Sequence, residues 1–143
     1  MNRYLQASRI RLQQQVSTWQ EAVQLAGNLL AADECATDAY VEAMVSMVES
    51  LGPYIVVAPG IALAHARPED GALKEGISLV VLQTPVCFGN PDNDPVSIVL
   101  GIAATDSDKH LQLMSAIAES FQEKGFAESL ITAESTDKVL EVK

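Results

Sequence analysis

The stretch that most constrains this chain is Gly52–Pro68, GPYIVVAPGIALAHARP. Two apolar runs, Ile55–Ala58 and Ile61–Ala64, are separated only by Pro59-Gly60. Val56, Val57, Ile61 and Leu63 suit short strands, and Pro-Gly between them reads as a tight turn. The second run ends on His65, and Arg67-Pro68 and the polar Glu69-Asp70-Gly71 follow at once. A titratable ring leaving a rigid strand where the chain turns polar is well placed for chemistry. A neutral imidazole offers a nucleophilic nitrogen near pH 7. The competing reading is a hydrogen-bonded structural histidine at a strand end.

The rest of the chain reads as elements packed around that hairpin. Partial alternation over Arg9–Val16 predicts a short edge strand with Ile10, Leu12 and Val16 on one side. Thr18 and Glu21 have capping-box spacing. Trp19, Ala22, Val23, Ala26, Leu29 and Leu30 then form a helical stripe, with Trp19 as a core anchor. Thr37 caps a second helix with Val41, Met44, Val45 and Val48 inward, ended by Gly52-Pro53. Gly76–Gln83 is apolar without alternation, which predicts a strand buried on both faces and closed by Thr84-Pro85. Phe88–Pro95 is a loop. Val96–Ala104 is another apolar strand, in which Gly101 marks a bulge or a close backbone approach. Asp106, Ser107 or Asp108 caps a helix with a stripe of His110, Leu113, Met114, Ile117 and Phe121, stopped by Gly125. Ala127–Ile131 and Thr136–Val142 read as shorter helices. This order suits a sheet between helices.

Charge and composition narrow the function. Nine basic residues stand against nineteen acidic ones, a net charge of −10. That balance argues against nucleic acid and anionic membrane surfaces, and suits docking to basic protein faces. No apolar run approaches the ~20 residues of a membrane span, and the first residues lack the apolar stretch of a signal peptide. The expected location is the cytoplasm, with Cys35 and Cys87 reduced and structural. Asn90, Asp92, Asn93 and Asp94 match no calcium loop and suit turns. Cys35, His65, Cys87 and His110 lack the paired short spacings of zinc modules. No nucleotide-binding or esterase motif occurs. Neither a metal nor an organic cofactor is expected.

The two histidines are the candidate site. His65 ends one strand, and His110 opens a helix after another, and in α/β folds such ends gather into one crevice. A helix N-terminus there favours an anion. His110 also shares the face of Leu113 and Ile117, so a half-buried core position is its alternative reading. Arg67 offers a guanidinium that matches phosphate oxygens, or else a surface ion pair with Glu69 or Asp70.

The phrase GPYIVVAPGIALAHARPEDG, with Val86–Gly89, Asn93–Val96, Ala103–Asp106 and His110, resembles the EIIA components of the bacterial phosphoenolpyruvate-dependent sugar phosphotransferase system. Within the mannitol/fructose superfamily the likeness is greatest to the ascorbate-type branch, and it runs from about Trp19 to Phe121. The resemblance implies an α/β fold in one domain over residues 1–143, a mixed β-sheet flanked by helices on both sides. It implies that His65 carries a phosphoryl group which His110 stabilises. The implied donor is HPr and the implied acceptor a cysteine of a IIB component, serving a IIC permease. Two departures stand out. Ala64 sits where the family commonly has proline before the histidine. Met44–Leu51 contains no arginine, a supporting role that Arg67 would have to fill. A regulatory module whose phosphorylation switches a protein contact, and a scaffold that is not phosphorylated, are the alternatives. The transported sugar and the oligomeric state are not written in this chain.

Overall fold

In the computed structural model, which describes residues 1–141, one strand and two helices are followed by four strands and then three helices. The strands are β1 (Leu5–Gln14), β2 (Val56–Ala58), β3 (Ile61–Ala64), β4 (Gly76–Val86) and β5 (Val96–Ala103). The helices are α1 (Trp19–Ala32), α2 (Asp38–Leu51), α3 (Ser107–Gln122), α4 (Phe126–Thr132) and α5 (Thr136–Glu141). The sheet order is β1-β4-β5-β3-β2. It is mixed: β1 runs parallel to β4 and β3 parallel to β5, while β2–β3 and β4–β5 are antiparallel.

The period of two along the strands sorts their side chains between two cores. Val80, Leu82, Ala62, Ala64, Val99 and Ala103 face α1 and α2. Ile77, Leu79, Val81, Ile61, Leu63, Ile98 and Leu100 face α3, α4 and α5. Helices therefore cover both faces, and the first seven residues of β4 are buried on either side, as its unbroken apolar run predicts. Each such Leu or Ile contributes roughly 1.5–3 kcal/mol by leaving water.

Local chemistry sets the element ends. The Thr18 and Thr37 hydroxyls accept from the amides of Glu21 and Tyr40 and cap α1 and α2. The Asp106 carboxylate accepts from the Lys109 amide and caps α3. Gly60, at φ +78°, makes the turn between β2 and β3 that an L side chain would strain. Gly101 answers to close approach, with no bulge in its pairing to Ala64 and Ser78. A Cβ there would lie 2.4 Å from the Ser78 Oγ and 3.2 Å from the Ala26 carbonyl, so α1 sits directly on the sheet.

Several boundaries differ from the sequence reading. β1 is at the edge, but it starts at Leu5 and stops at Gln14, where Gln13 takes φ +54°. Its alternation fails because Arg9 and Ile10 are both buried, Arg9 through polar partners described below. Proline does not close β4 at Thr84-Pro85, because the strand continues to Val86, which pairs Val96. β5 ends one residue early, at Ala103. Gly125 does not stop α3, which ends at Gln122, and instead opens α4 in a left-handed conformation. Trp19 is only partly buried and packs against the core rim, 6.0 Å from the Phe88 ring. Cys35 is buried, but Cys87 is exposed and takes no part in the core. The expected end of the last helix at Val142 lies outside the described residues. No helix among the described residues is long and apolar enough to cross a membrane.

Candidate active site

β3 and β5 are parallel neighbours, so their C-terminal ends emerge side by side, and each delivers a histidine. His65 follows β3 directly. His110 lies in the first turn of α3, which follows β5 by way of Ala104-Thr105-Asp106. The two imidazole centroids are 5.1 Å apart, with the rings tilted by 53°. Both rings are half-buried. They line one cleft of about 370 Å³ with Met47, Ala66, Arg67, Pro68, Ser107 and Leu111. The two histidines expected to meet do so, and Arg67 joins them at the rim.

The His65 ring is fixed from below. Its Nδ1 lies 2.9 Å from the Leu63 carbonyl. A carbonyl only accepts, so Nδ1 carries the proton and donates, and Nε2 keeps the lone pair. Tyr54 packs edge-on against the same ring at 5.9 Å. Ala64, where a proline would have fixed the approach, is held instead by its place in the sheet. It is 1% exposed and pairs with Gly101.

Burial and then the nearby His65 push the His110 pKa below the ordinary value, which favours its neutral form. Neutral imidazole still carries one N–H. The segment leading into α3 is anchored from β4's side. The Glu75 carboxylate accepts from the Thr105 amide at 2.9 Å and its hydroxyl at 2.7 Å, with the Lys109 ammonium at 3.8 Å. Burial would raise the Glu75 pKa, but these partners outweigh it and hold the group below its usual range.

Arg67 is exposed, its side chain 66% accessible, and it forks onto Asp70 with both contacts at 3.3 Å. Of the two ion pairs open to it in the sequence, the one with Asp70 forms. That pair raises the Arg67 pKa and lowers that of Asp70, mainly through the side-chain hydrogen bond. The guanidinium thus stays charged at the cleft, with one partner at the surface.

Sequence reasoning missed three neighbours of the site. Met47 carries no motif, and only the fold brings it to the cleft; Tyr54 lies inside the phrase that ends in His65, but nothing there marks it as a neighbour of the ring. Tyr40 was legible in principle, since it shares the face of Met44 and Val48 at helical spacing and is a polar aromatic on an apolar stripe. Among the described residues, no three His, Cys, Asp or Glu side chains gather as a metal site would need. A strand-end nucleophile, a second imidazole, an exposed guanidinium and a helix N-terminus together can accept a transferable anionic group.

Comparison with known proteins points to one family. The profile of the phosphoenolpyruvate-dependent sugar phosphotransferase system EIIA 2 family matches residues 3–142. The ascorbate-specific PTS system EIIA component of Escherichia coli (strain K12) is 40% identical over 134 residues, which is 93% of this chain and 87% of that protein. Among solved structures, the mannitol-specific cryptic phosphotransferase enzyme IIA of Escherichia coli superposes with a TM-score of 0.87 at 34% identity, covering 98% of this chain and 95% of the other. Enzyme IIA of mannitol transport from the same organism, solved in complex with phosphorylated enzyme IIB, gives 0.85 at 29% identity, with 96% of each chain covered.

Proposed function

Because this chain belongs to the EIIA 2 family of the phosphoenolpyruvate-dependent sugar phosphotransferase system, we propose that it carries a phosphoryl group on Nε2 of His65 between HPr and a IIB component. The observation that carries this assignment is the Nδ1–Leu63 bond, which keeps the ring proton on Nδ1 and leaves the lone pair on Nε2. In the forward step the Nε2 lone pair attacks the phosphorus of phosphorylated HPr in line. The new N–P bond forms as the donor N–P bond breaks, and that electron pair returns to the donor imidazole. The proton stays on Nδ1 throughout, donated to the Leu63 carbonyl. In the second step a IIB cysteine thiolate attacks the same phosphorus, and the electron pair returns to Nε2.

Little covalent chemistry falls to the protein, so position and charge must supply the rate. His110 donates its N–H to a phosphoryl oxygen. Arg67 exchanges Asp70 for the phosphoryl group, which its planar fork matches. The first amides of α3, at Ser107, add their partial positive charge. No metal or organic cofactor takes part. Leu51, Tyr54, Val57 and Leu111 leave large apolar surface exposed, with Tyr54 and Leu111 at the histidines, and such grouping suits protein partners that dock in turn. Location in the cytoplasm follows from those partners, with the IIC permease downstream. The 40% identical relative makes ascorbate the first substrate to test for the system.

The test is intact mass after incubation with phosphoenolpyruvate, enzyme I and HPr. An acid-labile gain of one phosphoryl group in the wild type, absent in His65→Ala, is expected. A gain that survives in His65→Ala moves the nucleophile elsewhere. No gain in the wild type favours the scaffold reading. Discharge to a IIB cysteine separates transport from a regulatory module.

A further inference from the structure

The two histidines are carried by backbone segments that part company just below them. β3 and β5 pair in register from Ile61 and Ile98 to Ala64 and Gly101. Beyond that pair one chain passes through His65 to Ala66, and the other through Ile102 toward α3 and His110. The Tyr40 hydroxyl fills the opening between them. It accepts from the Ala66 amide at 3.1 Å and donates to the Ile102 carbonyl at 2.7 Å, with the Ala66 carbonyl a second acceptor at 3.2 Å. Tyr40 is 0% exposed and Ala66 2%, so water cannot replace these bonds. The ring enters from α2, whose first turn is fixed where the Thr37 hydroxyl takes the Tyr40 amide at 3.2 Å.

We infer that Tyr40 is a positioning residue for phosphoryl transfer, its hydroxyl setting the spacing of His65 and His110 by tying together the two strand ends that carry them. The inference rests on the phosphoryl-carrier reading above. The hydroxyl replaces the ladder where the sheet opens to make room for the site. It touches no reacting atom. Misplacement by an ångström at a reacting centre costs roughly a hundredfold in rate, and a buried clamp below both rings is the means of preventing it.

Tyr40→Phe keeps the ring and removes one oxygen. With the full chain as acceptor and phosphorylated HPr as donor, kcat should fall by about tenfold or more while KM for HPr stays unchanged, since the docking surface is untouched. In a His110→Ala background the same substitution should cost no more than about twofold, because there is no spacing left to set. Equal rates for wild type and Tyr40→Phe overturn the inference. So does an equal loss in both backgrounds, which marks a merely structural hydroxyl. A wild type that accepts no phosphoryl overturns the carrier reading instead. Should Tyr40→Phe not fold, hydrogen exchange of the wild-type Ala66 amide decides. Exchange only through global unfolding is expected, and exchange as fast as an open loop overturns the clamp.

Discussion

Arg9 and Arg67 are the same residue type at the same end of the sheet, put to opposite uses. Arg9 is 3% exposed, although it lies on the edge strand. Its guanidinium donates to the Ile77 carbonyl at 3.0 Å, to the Tyr4 carbonyl at 2.7 Å and to the Asp33 carboxylate. Those bonds join β1, β4 and the end of α1. Arg67 reaches only Asp70, three residues on, from an exposed position. A buried cation with each of its three nitrogens engaged belongs to the fold and has little to offer a ligand. An exposed one on a short, exchangeable tether at a cleft rim is free to change partners. The difference is in desolvation and partner number, and sequence position alone shows neither.

The comparison breaks most visibly at Arg9. Arg9→Ala strands the Ile77 and Tyr4 acceptors and leaves Asp33 without its cation. With Asp33 still one-third exposed, the cost should be about 2–4 kcal/mol in unfolding free energy. Urea denaturation measures it, and a loss below about 1 kcal/mol would remove the distinction. Arg67→Ala should leave the urea midpoint where it is and slow phosphoryl acceptance by about tenfold. Arg67→Lys should recover only part of that rate, because an ammonium lacks the planar fork. Full recovery by lysine would mean that charge alone matters at that rim.

The smallest effect concerns pH. The folded-state pKa of His110 is below its unfolded value of 6.5. Below pH 6.5 the unfolded chain therefore takes up this proton first, so its contribution to stability is complete above that pH and declines as pH falls toward the folded pKa. An NMR titration of the two imidazoles should place His110 below pH 6.5. After phosphorylation of His65 the added negative charge should move His110 upward. A His110 pKa unchanged by phosphorylation would put its ring too far from the group to stabilise it.

Most of the fold could be read from residues because its signals are local. Thr18, Thr37 and Asp106 are caps three residues from the amides they hold, and the seven buried residues of β4 form one unbroken run. The hairpin ending in His65 is equally local. What escaped depends on tertiary partners. Arg9 lies off the parity of Ile10, Leu12 and Val16, and its burial follows only from Asp33 and two carbonyls. Gly125 closes α3 in a one-dimensional reading and opens α4 in three. The pairing of His65 with His110 could be anticipated from strand ends. The burial of Tyr40 could be read from its spacing to Met44 and Val48, but its role could not, since that role exists only where two strands diverge above it. That Met44–Leu51 holds no arginine was visible in the sequence, and Met47 is the residue of that segment that lines the cleft.

The parallel pairing of β3 with β5 also bears on how the molecule comes into being. The β2–β3 hairpin closes over two residues and can form early and alone. The partner of β3 is made only after the whole of β4 and the loop to Val96, and a contact of such sequence separation is slow to form. On a nascent chain His65 is therefore present long before His110 can stand beside it. Competence to receive the phosphoryl group therefore waits on the β3–β5 pairing, so a kinetic assay of phosphoryl acceptance doubles as a clock for that step of folding.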